Sequence, residues 1–136
     1  MRGEERLNTL LRTLRTSLVD GVFVFASVPS DEIPPGVAAR MVFQEAEGTT
    51  LVLLRQDAID AGLAHEFPCR MITLDVHSSL EAVGFMARVA SALAEYDIAV
   101  NPVSGFYHDH LFVPEDRVTD ALGVLERLSR VASVEG

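Results

Sequence analysis

The chain has 136 residues and a single cysteine, Cys69, so no internal disulfide can form. No reactive or metal-binding pattern surrounds that thiol, and it reads as a small hydrophobe at the start of a strand. Long apolar runs are missing as well. "GVFVFA" and "TLVLL" fall far short of the roughly 20 residues that a membrane-spanning helix needs. The opening "MRGEERLNTLL" holds two glutamates and no apolar signal core, so a cytoplasmic location is expected. Basic residues are scarce, 11 Lys+Arg against 20 Asp+Glu for a net charge of −9, and no basic cluster occurs along the sequence. Counterion-release binding to nucleic acid and docking on anionic membranes both need such clusters. Small molecules or other proteins are the expected partners. GxSxG, HExxH and a phosphate-cradling glycine loop are all absent, so neither an enzyme nor a cofactor is expected.

What is present is a globular composition, 49% hydrophobic and 23% charged, enough for one domain or two small interdependent ones. Leu7, Leu10, Leu11 and Leu14 recur at helical spacing near the start. "DGVFVFASVP" reads as a strand, "SDEIPPG" as a loop, and the two apolar runs around "EAEG" as a hairpin. A short helix over "QDAIDAG" is expected to stop at Gly62. "CRMITLDVH" reads as a strand with alternating faces. Ser78 and Glu81 have capping-box spacing, which predicts a helix beginning there, with Val83, Met86, Ala87, Ala90, Leu93 and Ala94 as its apolar stripe. "IAVNPV" and "YHDHLFVP" are two strands joined near Ser104-Gly105. "EDRVTDALGVLERLSRV" is a closing helix, and "VASVEG" could add a last short strand. From residue 69 the order β-α-β-β-α suits a ferredoxin-like α+β sandwich, with two helices on one face of an antiparallel sheet. "LVLLRQDAIDAGL" and "HLFVPEDRVTDAL" also resemble one another at an offset of 59, pairing Leu53 with Phe112 and Leu63 with Leu122, which suggests an internal duplication.

The strand "HDHLFV" carries two of the four histidines. Period-two alternation puts Asp109, Leu111 and Val113 on the face under the helices, and His108, His110 and Phe112 on the other. Thr73, Asp75, His77 and Asn101 fall on that same outer face. This set is open to three readings: a polar sheet face, a surface donating hydrogen bonds to a ligand, or a metal site using His108 and His110 with His77 or Asp75.

The run "TLDVHSSLEAVGFMARVASALAEYDIAVNPV" resembles the ACT domain, a small amino-acid-sensing module. Val83-Gly84 stands where that family usually has Pro-Gly, and "YDIAVN" where its second strand opens. With "GFYHDHLFVP" the chain resembles small bacterial proteins of two tandem ACT-like halves, here residues 1–68 and 69–136. The resemblance implies two ferredoxin-like βαββαβ halves and a non-enzymatic role in binding an amino acid or similar ligand. Carried over by position, the binding loop is His77, Ser78, Ser79, Val83, Gly84 and Phe85, with Asn101 and Pro102 from the second strand. Asp75 would receive an α-ammonium, and backbone N–H groups at the helix start would receive a carboxylate. "SDEIPPG" replaces the helix expected between the first two strands, which makes the first half a structural partner. A homodimer is expected, because such sheets leave edge strands that pair readily.

Overall fold

A computed structural model of the chain describes residues 3–29 and 32–135. They form two compact units: Asp20–Cys69, the middle unit, and Met1–Val19 with Arg70–Gly136, the terminal unit. Sequence order thus places the first helix in the first half, whereas packing places it with the second.

In the middle unit, β2 (Phe23–Val28) pairs antiparallel with β4 (Gly48–Leu54), from Phe23 opposite Leu54 to Val28 opposite Thr49. β3 (Met41–Glu45) lies on the other side of β4. The opening residues of β5 (Glu66–Leu74) pair with β2 around an irregularity between Cys69 and Glu66. There Phe67 takes φ +61°, and its ring meets Phe25 edge-on at 5.8 Å. Alternate residues Val24, Ala26, Val28, Leu51 and Leu53 share a core with Ala58 of α2 (Arg55–Asp60), as period-two strands against one short helix require. Gly62 ends that helix at φ +68°, the left-handed stop expected of it. Between β2 and β3 the described residues contain no helix, and Ser30 and Asp31 of the expected loop lie outside them.

The sheet of the terminal unit runs β1 (Thr16–Leu18), β5 from Arg70 onward, β7 (Asp109–Pro114), β6 (Asn101–Ser104). α1 (Gly3–Arg12), α3 (Phe85–Glu95) and α4 (Val118–Glu135) pack with it, the last entered through a 3₁₀ turn at Glu115–Arg117. Leu11, Leu14, Ile72, Leu74, Phe85, Val89, Leu93, Leu111, Val113, Ala121 and Leu125 make one core. The α+β, ferredoxin-like architecture is as expected, but a third helix, α1, joins the layer.

Five expectations are corrected. α3 starts at Phe85, not Ser78: the Ser78 hydroxyl donates to Asp109 instead of capping, and Gly84 occupies the N-cap with a left-handed φ of +88°. The buried stripe is therefore Phe85, Val89 and Leu93, while Val83 is 85% exposed. "VASVEG" is helical to Glu135, with Ala132 buried on α4 and no breaker before Gly136, which lies outside the described residues. The strand position beside β5 is filled by β1, with Thr16 opposite Leu74 and Leu18 opposite Ile72. β5 itself ends at Leu74, so Asp75 and His77 are not strand residues. Finally, the two strand–helix repeats match at an offset of 60, not 59. Leu53 and Val113 both face their cores, and Leu54 and Pro114 turn the chain into a helix at nearly identical dihedrals, φ −61°, ψ 139° and φ −52°, ψ 139°.

Cys69 is fully buried, its thiol donating to the Phe23 carbonyl at 3.3 Å. Burial pushes its pKa up from 9.0 to about 12. An unfolded thiol ionises first, so stability is complete below about pH 9 and falls as pH climbs toward about 12. A thiol reagent at neutral pH should leave the folded protein unmodified and label it once in denaturant; labelling at equal rates in both states would contradict the burial. Leu93→Ala should cost about 2–5 kcal/mol in denaturant unfolding.

Candidate functional site

The loop from Asp75 to Gly84 links β5 to α3, and its course is set by side-chain bonds. Asp75 is exposed, accepts a hydrogen bond from the Ser17 hydroxyl, and donates its N–H to the Arg15 carbonyl at 2.7 Å. Three residues on, Ser78 donates to Asp109 at 2.9 Å. Asp109 is only 8% exposed, on the helix-facing side of β7 that alternation assigned to it. A buried carboxylate needs donors, and Ser78 supplies one from the loop. Ser79 accepts the Glu81 N–H at 3.0 Å and closes a small turn. Gly84 then reverses the chain into α3; a Cβ there would stand 3.4 Å from the Leu7 side chain.

Between this loop and α1 lies a cavity of about 310 Å³. His77, Ser79, Glu81, Ala82 and Val83 form one wall; Arg6, Leu7, Thr9 and Leu10 of α1 form the other. Its lining therefore includes one guanidinium and one carboxylate, both on exposed residues, together with apolar side chains. Leu80 and Val83 on this loop are 66% and 85% exposed.

Of the residues the sequence singled out, His77, Ser79 and Val83 line this cavity, and Gly84 adjoins it through Leu7. Ser78 positions the loop through Asp109. Phe85 is buried in the core at 2% exposure. Asn101 and Pro102 are exposed on β6, opposite Phe112 and Leu111. The shared outer face is realised for Thr73 and His110, whose side chains share a hydrogen bond of 3.0 Å. His108 instead sits in the β6–β7 turn, its carbonyl accepting the Gly105 N–H at 2.9 Å. Among the described residues no three His, Cys, Asp or Glu side chains come together to hold a metal ion, so His77, His108 and His110 do not form a ligand set. Sequence reasoning missed the whole α1 wall. Arg6 and Glu81 are remote in sequence, and no local pattern joins them.

Comparison with known proteins agrees with this architecture. Two family models match the chain, both described as ACT domain, one over residues 2–70 and the other over residues 66–127. The crystal structure of a Vibrio cholerae protein of unknown function is 37% identical, with a TM-score of 0.85 over 94% of this chain and 99% of that one. The ligand-free regulatory subunit of aspartate kinase from Thermus thermophilus is 11% identical, with a TM-score of 0.63 over 83% of this chain and 95% of that one, a likeness of fold alone. The cytosolic arginine sensor for mTORC1 subunit 1 is 25% identical in Mus musculus and 26% in Homo sapiens, over 86% of this chain. The chain spans 39% of the length of these curated relatives.

Removing the tie from loop to sheet should loosen the loop before it affects the core. Ser78→Ala deprives Asp109 of its donor, and the expected cost is about 1–3 kcal/mol in denaturant unfolding. Amide exchange should quicken across residues 76–84. Unchanged exchange in that loop would mean that Ser78 does not position it.

Proposed function

The chain belongs to the ACT domain family, and on that premise we propose that it is a non-catalytic regulatory module that binds a free amino acid in the cavity between α1 and the loop 75–84. One observation carries the reading: a small cavity whose lining combines a cation, an anion and apolar groups. A zwitterionic α-amino acid has the complementary arrangement. The Arg6 guanidinium offers a planar fork to the α-carboxylate, and Glu81 accepts from the α-ammonium. Leu7, Leu10, Ala82 and Val83 meet the side chain, with His77 and Ser79 as polar neighbours. A volume of about 310 Å³ is at the small end of the range for ligand pockets, which suits an amino acid.

The curated relatives named as arginine sensors support an amino acid as the ligand class and make arginine a natural first compound. The half 69–136 holds the binding loop in this reading. We expect a cytoplasmic homodimer: β3 and β6 are edge strands of their sheets, and pairing through β6 would bring the exposed Asn101 and Pro102 to a second copy. Sedimentation of the purified chain reports that state directly.

Calorimetric titration with the twenty amino acids tests the ligand. At least one should bind, and its N-acetyl form, which has no ammonium, should bind far more weakly. Arg6→Gln and Glu81→Gln should each lower affinity by about tenfold or more, the scale of one charge-assisted hydrogen bond. A folded protein that binds none of the twenty would overturn the reading.

A further inference from the structure

A second cavity, about 510 Å³, opens in the terminal unit where the end of α1 meets α4. Arg12, Arg15 and Arg130 stand around it, with the half-buried Leu122 beside them and the buried Leu14 and Leu125 beneath. The charge there is not balanced. Arg130 approaches Glu126 at 3.9 Å, and these side chains are 67% and 71% exposed, so the pair holds neither firmly. Arg12 reaches the Thr9 hydroxyl at 3.4 Å and Arg15 the Leu14 carbonyl at 2.8 Å, both uncharged acceptors. Three cations thus face one carboxylate on a chain whose net charge is −9.

Helix-end electrostatics does not account for the group. Arg12 is in the last turn of α1, where a cation is favoured. However, carbonyls at that end already have donors: Thr9 O accepts from Thr13 N at 3.0 Å, Leu11 O from Leu14 N at 3.3 Å, and Arg12 O from the Ser129 hydroxyl at 3.1 Å. Arg15 lies beyond the helix, and Arg130 belongs to α4. The chain has no lysine, and its 11 Lys+Arg positions are all arginines, whose delocalised, weakly hydrated forks match phosphate oxygens two at a time.

From this geometry we propose that the cleft binds a nucleoside diphosphate or a closely similar phosphate ester. Arg12, Arg15 and Arg130 meet the phosphates, and the leucine floor takes the less polar part of the ligand. The site is separate from the amino-acid cavity and independent of that assignment.

Calorimetry on the full chain with ADP, pyrophosphate and citrate tests it. ADP should bind more tightly than either simple anion, with affinity falling as salt is raised. The double variant Arg15→Gln/Arg130→Gln replaces two exposed side chains, so it should keep the native melting temperature. It should lose about tenfold or more in ADP affinity. Three results overturn the proposal: no ADP binding at millimolar concentration, ADP affinity unchanged in the double variant, or citrate or pyrophosphate binding as tightly as ADP, which would leave the leucine floor without a role.

Discussion

Backbone hydrogen bonding on both sides of β5 is what the terminal unit depends on. Ile72 and Leu74 are fully buried, so the peptide groups around them cannot turn to water and must be paired. β7 takes one side of the strand and β1 the other. The pairing extends past the three residues of β1, through Asp75 N to Arg15 O at 2.7 Å and Val19 N to Met71 O at 3.0 Å. Because β1 follows α1 after a short turn, the same pairing delivers α1 to the helix layer, where Leu11 and Leu14 enter the core. Ser129 then ties the end of α1 to α4. Both cavities discussed above have α1 or its end as a wall, so both follow from where one short strand pairs.

Much of this was legible in the sequence, for reasons that can be named. Leucines at helical spacing identify α1, and alternation along "HDHLFV" assigns Asp109, Leu111 and Val113 to the covered face. What failed was local chemistry with two uses. Ser78 and Glu81 have the spacing of a cap, but the hydroxyl has a better partner in Asp109, a buried acid that would otherwise lack that donor, and the helix starts about two turns later, at Phe85. β1 was not legible at all: "TSL" has no strand signal of its own, and its reason for being extended lies in the needs of β5. The repeat offset went astray by one residue because similarity in a short window is blind to which face a side chain takes. Core-facing Leu53 and Val113 decide it.

The arginines show how far linear charge patterns can mislead. No basic run exists in the sequence, yet folding gathers Arg12, Arg15 and Arg130 at one cleft. Others serve the fold itself. Arg117 donates to the carbonyls of Asp97 and Tyr96 at 3.2 and 3.1 Å while pairing with Asp120, closing the end of α3 where Asp97 adopts φ +59°. Arg127 lies over the Tyr96 ring at 5.6 Å. Both have specific, structurally sufficient partners. Among the described residues, the three at the cleft have a long ion pair and two uncharged acceptors between them.

The two ACT repeats have come to differ in the same economy of parts. In the terminal unit β5 leads into a loop, a left-handed glycine and an 11-residue helix, so the loop has a sheet to tie to and a helix to end on. In the middle unit β2 leads into a proline-rich segment whose described residues contain no helix, and its one helix, α2, has six residues. Such a unit buries Val24, Leu51 and Leu53. A ligand that must be held by opposed charges needs groups fixed in relation to one another, because the entropy of ordering them otherwise consumes the gain. In the terminal unit the Ser78–Asp109 bond ties the loop to the sheet, and α1 lies across the cavity from it. The other unit has no helix among the described residues between its first two strands.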